Sequence, residues 1–468
     1  MLFNSLEFLL FFIIVTSLFF ILPHKFRWLL LLIASCYFYM VFVPIYILIL
    51  GGTILIDYFA GIYIEKSAGR LRRHFLTLSL IANIGVLAVF KYYNFFIENI
   101  NLASGSEWMP YLKILLPIGL SFHTFQAMSY TIEVYRGNQA AEKHFGIYAL
   151  YVMFYPQLVA GPIERPQNIL HQFHEKKKPE YNDLVVGFSQ MVRGFFKKVV
   201  VADLVSGYVD TIYSSYQINS GFTLIFVSWL FLIQIYCDFS GYTDIAIGAA
   251  RMMGFKLMKN FNLPLFSKTM ADLWNRWHIS LSTWFRDYFF KPISVEKRDW
   301  GIWALIFATM ITFFLSGIWH GAGWNFVIYG LLNGLALSLE IYFGIRASSF
   351  KKSIYKKIFG IFMTFNIFSF TLIFFRSATF HQATTIIKNI FKLNGFFNLK
   401  ITDASTFVNM LLPVIMIIAM EYFIFRKGGL QEQLNKRPLF VFSLNATLII
   451  LILLFGVSNG EQFIYFQF

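Results

Sequence analysis

The stretch IWALIFATMITFFLSGIW, from Ile302 to Trp319, contains eighteen residues and no charged side chain. An apolar run of this length predicts a transmembrane helix, because about 20 residues of helix cross the hydrocarbon core of a bilayer. Eleven further apolar stretches predict crossings at 5–22, 28–43, 45–64, 75–95, 111–134, 184–205, 222–250, 324–344, 356–375, 407–425 and 439–458. The sequence therefore predicts an all-α polytopic membrane protein with about 11–12 transmembrane helices.

The composition of the whole chain supports this class. Of the 468 residues, 57% are hydrophobic and only 13% are charged, about half the ~25% charged residues of soluble domains. Phenylalanine alone contributes 58 residues. This composition excludes a soluble enzyme and a disordered chain. The two cysteines, Cys36 and Cys237, lie in apolar stretches and give neither a disulfide framework nor a zinc site.

The charged residues predict the orientation of the chain. A net charge of +15 would suggest nucleic acid in a soluble protein, but here the basic residues form short runs between apolar spans. Such runs are typical of cytoplasmic loops, so we expect contact with the lipid bilayer and no nucleic-acid partner. With 24–27 in the cytoplasm, the loops alternate and both termini are predicted to be extracytoplasmic. Residues 5–22 lack a cleavage site and are interpreted as the first span.

One segment breaks the charge rule. Residues 376–406 fall on the extracytoplasmic side in this topology, yet they carry Arg376, Lys388, Lys392 and Lys400. Longer loops obey the rule less strictly. Two other segments, 145–161 and 261–294, are too short or too polar to span the bilayer. We interpret both as re-entrant or surface helices, which membrane proteins tolerate where they are buried in protein or line a cavity.

Polar residues within the apolar stretches concentrate between residues 230 and 330. Polar groups at membrane depth are costly and mark functional sites or interhelical hydrogen bonds. The first group lies near Asp238, with Asp244 and several hydroxyl residues close in sequence. It predicts either a helix–helix hydrogen-bond cluster or a polar wall of a substrate channel.

The second group is the run from Leu273 to Tyr288, which contains three tryptophans, two arginines and a histidine. An amphipathic helix anchored at the membrane interface is one interpretation. Alternatively, Arg276 and Arg286 bind the phosphates of a cytosolic cofactor.

The third group, SGIWHGAGWN at 316–325, places His320 between two spans and beside three glycines. A histidine buried at membrane depth can act as a general base. In the predicted topology His278 lies near the cytoplasmic side and His320 near the outer side, which suggests a site reached from both faces. No third ligand at metal-binding spacing accompanies them, so we expect no metal site. The sequence also contains no phosphate-binding loop, dinucleotide fingerprint or serine-hydrolase motif.

The chain resembles the membrane-bound O-acyltransferases, or MBOAT proteins, and within them the branch of the bacterial alginate O-acetyltransferase membrane subunit. The resemblance covers nearly the whole chain. It rests on LPIGLSFHTFQ at 116–126, YTIEVYRG at 130–137, PQLVAGPIERP at 156–166, DFSGY at 238–242, WNRWH at 274–278, SGIWHGAGWN at 316–325 and FIYFQF at 463–468. One position departs from the pattern, because His123 stands where Phe or Tyr is expected. His123 is interpreted as a packed polar side chain or as part of a tunnel wall.

The resemblance implies a single MBOAT domain over 1–468, with transmembrane and re-entrant helices around a central tunnel. Within it we expect peripheral helices at 1–100, a catalytic core at about 111–345 and C-terminal helices at 356–468. The resemblance implies His320 as the catalytic histidine and His278 as the second, cytoplasm-side histidine. Candidates for binding the donor or substrate are Asn275, Arg276, Arg286, Asp238, Trp319 and Gln126.

The implied reaction is O-acetyl transfer from a cytosolic donor, acetyl-CoA, to a cell-surface polysaccharide outside the bacterial inner membrane. No bound cofactor is expected, since acetyl-CoA is a substrate. An extracytoplasmic acetyltransferase-type partner protein is expected to complete the transfer. The acceptor stays open among alginate-like exopolysaccharide, cellulose, peptidoglycan and capsule. The alternatives are D-alanyl transfer from a carrier protein, lipid or protein O-acylation, and export of a polysaccharide or lipid without chemistry.

Overall fold

The computed structural model describes all residues except 115, 160, 351–352, 393–396, 402, 427–428, 458–462 and 465–468. The described part of the chain is helical and contains no strand. Its α-helices are α1 Leu6–Ile21, α2 His24–Met40, α3 Ile47–Lys66, α4 Gly69–Leu87, α5 Tyr93–Ser104, α6 Leu120–Arg136, α7 Phe145–Met153, α8 Tyr155–Leu158, α9 Pro166–His174, α10 Tyr181–Phe195, α11 Asp203–Ser214, α12 Gly221–Met252, α13 Met270–Trp274, α14 Ile279–Phe285, α15 Lys291–Glu296, α16 Ile302–His320, α17 Trp324–Tyr342, α18 Ile354–Arg376, α19 Phe380–Ile390, α20 Ala404–Arg426, α21 Gly429–Lys436 and α22 Pro438–Phe455.

The all-α, polytopic class predicted from the sequence is confirmed. Among the described residues, eight helical segments are long and apolar enough to cross a membrane, against the twelve crossings predicted. They are Pro44–Lys66, Gly69–Ser104, Gly221–Met252, Ile302–His320, Trp324–Tyr342, Ile354–Arg376, Ala404–Phe423 and Pro438–Phe455.

The difference in number has local causes. In the apolar stretch predicted at 111–134, the described residues before Leu120 are not helical, because Pro117 lacks a donor N–H and Gly119 has a positive φ of 75°. Helix α6 is therefore left with 17 residues. Helix α1, with 16 residues, is also shorter than a full span. The segments predicted as short at 145–161 and 261–294 indeed form short helices, α7, α8 and α13 to α15.

Contacts divide the chain into two compact units. The first unit comprises Met1–Met191 and Tyr242–Met258. Inside it, the buried carboxylate of Asp57 on α3 accepts hydrogen bonds from Ser79 (2.6 Å) and from Asn83 (3.0 and 2.9 Å) on α4. The Ser79 hydroxyl oxygen also lies 3.0 Å from the Thr131 hydroxyl oxygen of α6. Interhelical hydrogen bonds of this kind bind apolar helices together where hydrophobic burial contributes little.

The second unit comprises Val192–Gly241 and Lys259–Phe468. Its helices α16 and α17 are neighbours in sequence and pack closely over much of their length. Gly317 and Gly330 face each other at the crossing, where a Cβ added to Gly330 would lie 2.9 Å from the Gly317 Cα. Small residues allow such close approach of two helix backbones. This crossing fixes the end of α16, where His320 lies.

Candidate active site

The loop before α14 holds the first histidine. Helix α13 begins after Thr269, whose side chain accepts a hydrogen bond from the Asp272 N–H (3.0 Å). Glu340 of α17 accepts two more, from the N–H groups of Met270 (2.6 Å) and Ala271 (2.9 Å). A carboxylate at a helix N-terminus satisfies donors that have no partner within the helix. The short helix is thereby attached to α17.

His278 follows α13 in the segment 275–279, which we call the histidine loop. His278 is fully buried and has φ and ψ of 42° and 54°. This left-handed conformation is uncommon for residues other than glycine, and it persists only where the surroundings enforce it. Here Asn260 does so, because its carbonyl accepts the Ile279 N–H (2.9 Å) and its Oδ1 accepts the Ser280 N–H (3.1 Å) and hydroxyl (2.9 Å).

His320 ends α16 and is 3% exposed. Its imidazole packs among aromatic rings, with centroid distances of 5.0 Å to Trp319, 5.6 Å to Tyr329 and 5.4 Å to Phe375. Tyr329 belongs to α17 and Phe375 to α18. Three helices of the second unit therefore fix the position of this side chain.

The two histidines lie against the same indole. The ring centroid of His278 is 6.0 Å from that of Trp319. Phe239 also packs edge-on against the His278 imidazole, with ring centroids 4.6 Å apart. This differs from the sequence interpretation, which placed His278 and His320 at opposite mouths. The cause is the burial of Trp277 and His278 within the second unit, although Asn275 of the same loop is exposed. Burial, with a smaller contribution from His320, holds the pKa of His278 well below its ordinary value.

A cavity of about 600 Å³ lies among helices α13, α14, α16 and α17. One side of it is a stripe along α16 that includes Leu305, Thr309, Thr312 and Ser316. These positions are three or four residues apart, so they share one face of the helix. The next position on that face is His320, four residues beyond Ser316. We call this space the α16 cavity.

Comparison with known proteins shows the family to which the chain belongs. The family model described as MBOAT, membrane-bound O-acyltransferase family, matches residues 73–378. The chain is 35% identical to the probable alginate O-acetylase of Pseudomonas aeruginosa, over 74% of this chain and 67% of that protein. The chain belongs to the membrane-bound O-acyltransferase family. It is thus a multi-pass membrane acyltransferase.

Two other relatives of this acyltransferase are named for acyl transfer to other acceptors. The peptidoglycan O-acetyltransferase of Helicobacter pylori is 33% identical, over 81% of this chain and 76% of that protein. The teichoic acid D-alanyltransferase of Bacillus subtilis is 28% identical, over 57% of this chain and 70% of that protein.

The candidate residues of the acyltransferase divide into those that line the α16 cavity and those that do not. Asn275 and Arg286 line it. Arg276 instead pairs with Asp272 (2.7 Å) and donates to the Asn262 carbonyl (3.2 Å), and is not among the cavity residues. Its guanidinium therefore stabilises the fold of the histidine loop.

Asp238 and Gln126 also make structural contacts. Asp238 is buried and pairs with Lys198 (2.8 Å), which pairs in turn with Asp203 (2.8 Å). Asp238 also accepts the backbone N–H of Ile464 (2.8 Å). This supports the interhelical-cluster interpretation of the first polar group. Gln126 belongs to the first unit, where it donates to the Tyr151 carbonyl (2.5 Å).

Other predicted features fall elsewhere. His123, which departs from the family pattern, is 2% exposed on α6, and neither ring nitrogen has a hydrogen-bond partner among the described residues. Of the C-terminal motif, only Phe463 and Ile464 are described, and residues 465–468 lie outside the described residues. Phe463 packs against Phe239 with ring centroids 5.4 Å apart.

Three contributors to the site were not predicted from the sequence. They are Asn260, Glu340 and Arg346, of which the last two line the α16 cavity. Asn260 lies in the run Asn260-Phe-Asn262-Leu-Pro264, which a sequence reading assigns to a turn. The sequence did contain a signal for Glu340, because it is the only carboxylate in the apolar helix α17. A charged group within a span is unfavourable unless it has a partner, so its position indicates a functional or structural contact.

Proposed function

We propose that this acyltransferase transfers an acetyl group from cytosolic acetyl-CoA to a hydroxyl group of an extracytoplasmic cell-surface polysaccharide. His320 and His278 carry the reaction. Two relatives named for O-acetylation support the acetyl group and the polysaccharide acceptor. The protein acts in the bacterial inner membrane, with both termini outside and an extracytoplasmic acetyltransferase-type partner completing the transfer.

The observation that carries the proposal is the position of His320 on α16, one helical turn beyond the last residue of that helix that lines the α16 cavity. Ser316 belongs to the cavity wall, and His320 follows it one helical turn later on the same face. An acyl chain that enters the cavity along this wall would be directed towards His320. The cavity wall is mostly apolar and carries few charged groups, which suits a thioester arm with a polar head.

The arginines of the cavity suit the head of the donor. Arg286 and Arg346 both line the cavity, and Arg286 also pairs with Asp287 (3.1 Å). Guanidinium groups bind phosphate through paired hydrogen bonds. Arg286 and Arg346 would therefore hold the phosphates of CoA, and Asn275 would orient the pantetheine arm. Acetyl-CoA enters as a substrate and leaves as CoA, so the reaction requires no resident cofactor.

The chemical step balances without a further reactant. A ring nitrogen of His320 accepts the proton of the attacking hydroxyl, whose oxygen forms a bond to the acetyl carbon. The carbon–sulfur bond of the thioester breaks, and the thiolate leaves with the proton that His320 had accepted. A positioned base of this kind contributes about 10²–10⁴-fold to the rate.

His278 would stabilise the charge that develops on the acetyl oxygen. With its pKa lowered by burial, the imidazole is neutral at pH 7 and has one N–H to donate. A fixed donor aimed at the developing oxyanion costs no reorganisation during the reaction. The hydrogen bonds from Ile279 and Ser280 to Asn260 would keep this donor in place.

D-alanyl transfer is the second candidate, favoured by the similarity to the teichoic acid D-alanyltransferase. Its donor would be charged on a carrier protein, so it predicts a cytosolic docking protein and no binding of acetyl-CoA.

The test uses the full-length protein in detergent with radiolabelled acetyl-CoA and a polysaccharide fragment as acceptor, because the proposed step releases CoA only when a hydroxyl attacks the thioester. We expect CoA release by the wild type and none by His320→Ala or His278→Ala, while the exposed-histidine variant His74→Ala on α4 keeps the wild-type rate. Gel filtration checks that each variant is folded. Wild-type CoA release by either site variant would refute its assigned role. Failure of the wild type to bind acetyl-CoA would refute the assignment of acetyl-CoA as the donor and would favour the carrier-dependent reaction.

A further inference from the structure

A second cavity, of about 560 Å³, lies in the second unit at the N-terminus of α12. We call it the lysine cavity. Its wall combines side-chain amides, hydroxyl groups and two lysines. These residues are Gln217, Asn219, Asn389, Asn398, Ser220, Thr223, Lys392 and Lys400. The lining therefore differs in kind from the mostly apolar α16 cavity.

The wall of the lysine cavity is held in shape by hydrogen bonds. The Thr223 hydroxyl donates to the Asn398 carbonyl (2.8 Å) and accepts the Lys400 N–H (3.0 Å). The Lys400 carbonyl accepts a further bond from the Tyr208 hydroxyl (2.7 Å). On the other side, Asn389 donates to the carbonyl of Tyr216 (3.3 Å). The segment 398–400 is therefore attached to α11 and to the first turn of α12, and the end of α19 is attached to the loop between those two helices.

The charge of this cavity is positive. Lys392 and Lys400 are exposed, and among the described residues no carboxylate lies within 4.0 Å of either ammonium group. The N-terminus of the 32-residue helix α12 reaches the same wall at Gly221. A helix N-terminus adds partial positive charge. Two free ammonium groups beside it favour an anionic ligand.

The lysine cavity and the histidine pair are connected through α18 and α19. Phe375, which packs against His320, precedes Arg376, whose guanidinium pairs with Asp210 of α11. Helix α19 then leads from this region to Asn389 at the cavity. Its 11 residues rise about 16 Å. The lysine cavity and the histidine pair are thus joined by one continuous stretch of helix and loop in the second unit.

This arrangement gives a reason for the segment that breaks the charge rule. Lys392 and Lys400 lie within 376–406, predicted to be extracytoplasmic despite their charge. Cations on that side are unfavourable for topology, but they are suited to binding an anion there.

We propose that the lysine cavity binds an anionic sugar polymer, with its amides and hydroxyls on the sugar hydroxyls and its lysines on carboxylate or phosphate groups. This inference rests on the proposed function, because it identifies the class of acceptor. Amide and hydroxyl side chains donate and accept hydrogen bonds, as sugar hydroxyls do. Lysine binds carboxylate and phosphate as a flexible point charge. The described lining residues include no aromatic ring, so among them charge and hydrogen bonding would determine the specificity.

The test measures binding directly, with the full-length protein in detergent. The probes are a fluorescent oligouronate, a polyglycerol phosphate oligomer, a neutral glucan oligomer of equal length and an acidic peptide. The double variant Lys392→Gln/Lys400→Gln removes both charges and keeps a polar side chain that is one atom shorter than lysine. The matched control is Lys388→Gln, because Lys388 is also an exposed lysine on α19 but does not line the cavity. We expect the double variant to raise the Kd for an anionic probe about tenfold, and Lys388→Gln to leave it unchanged.

The outcomes separate the proposal from the proposed function. An anionic probe that binds the wild type and the double variant equally would overturn the cavity assignment, as would equal loss of affinity in Lys388→Gln. Equal binding of the neutral glucan would overturn the anionic class, and a lysine-dependent preference for an acidic peptide would assign the cavity to a protein partner instead. Preference for the uronate or the phosphate oligomer identifies the anion. CoA release by the same wild-type preparation reports independently on the acyltransferase reaction.

Discussion

The crossing of α16 and α17 makes a specific prediction about Gly317. A Cβ at this position would meet the Phe326 carbonyl oxygen and would lie 3.0 Å from the Gly330 Cα. Because packed interiors have little free volume, we expect Gly317→Ala to separate the two helices by about 1 Å. Overpacking of this kind costs about 1–3 kcal/mol of stability. His320 is three residues away, and a displacement of about 1 Å at a catalytic group lowers the rate on the order of 100-fold.

The assay compares CoA release from acetyl-CoA and thermal unfolding in detergent for wild type, Gly317→Ala and Gly323→Ala. Gly323 is the matched control, since it lies equally near His320 in sequence and an added Cβ would approach only the Phe326 ring, at 3.7 Å. That distance is an ordinary van der Waals contact, and the Gly323 backbone is extended. We expect Gly323→Ala to stay within a few-fold of the wild type. Full activity and stability in Gly317→Ala would refute the conclusion that this crossing positions His320.

Three further predictions concern buried polar groups. Asn260→Ala leaves the Ser280 donors without a partner and should lower the free energy of unfolding by about 1–3 kcal/mol. It should also change kcat more than KM. Ser280→Ala should have the smaller effect in the same kinetic and unfolding assays. Lys198→Met leaves a buried carboxylate without its cation and should lower stability by about 3–5 kcal/mol; adding Asp238→Asn should restore part of the loss, and no rescue would contradict the pairing. Burial raises the pKa of Glu164 from 4.5 to about 7, so the folded state holds more protons than the unfolded chain between these values. Stability should therefore fall by roughly 3 kcal/mol as pH rises through that window, and Glu164→Gln should remove this slope from thermal melts.

Composition and hydropathy were sufficient to predict the fold class, because a chain with few charges can bury its apolar surface only in a membrane or a very large core. They were less reliable for the number of spans. A hydropathy window detects apolar residues at 111–119, but it does not register that Pro117 and Gly119 delay the start of α6 until Leu120. Where a single backbone position determines the start of a helix, the length of the apolar stretch differs from the length of the helix.

The resemblance to a family was sufficient to propose His320 and His278 as site residues. The distance between them could be known only from the tertiary structure. A whole span separates them in sequence, so a linear topology assigns them to different sides of the membrane. The structure instead brings both to Trp319, because Asn260 fixes the turn that buries His278. An asparagine in a turn has many ordinary explanations, and only its partners reveal this role.

The buried polar residues of the second unit are of two kinds, those that form structural ion pairs and those suited to acid–base chemistry, and the sequence alone does not separate them. A buried carboxylate requires a cation, and the sequence places Lys197 and Lys198 within an apolar stretch without indicating which carboxylates they meet. In the structure Lys197 pairs with Glu421 and Lys198 with Asp238, so the charges of these residues are used to join helices. The imidazoles of His278 and His320 require no counter-ion while neutral, so burial among aromatic rings costs them less free energy than it would cost an ionised carboxylate. A site for acid–base chemistry can therefore lie beside a structural ion-pair network, and the partner of each polar group decides to which of the two it belongs.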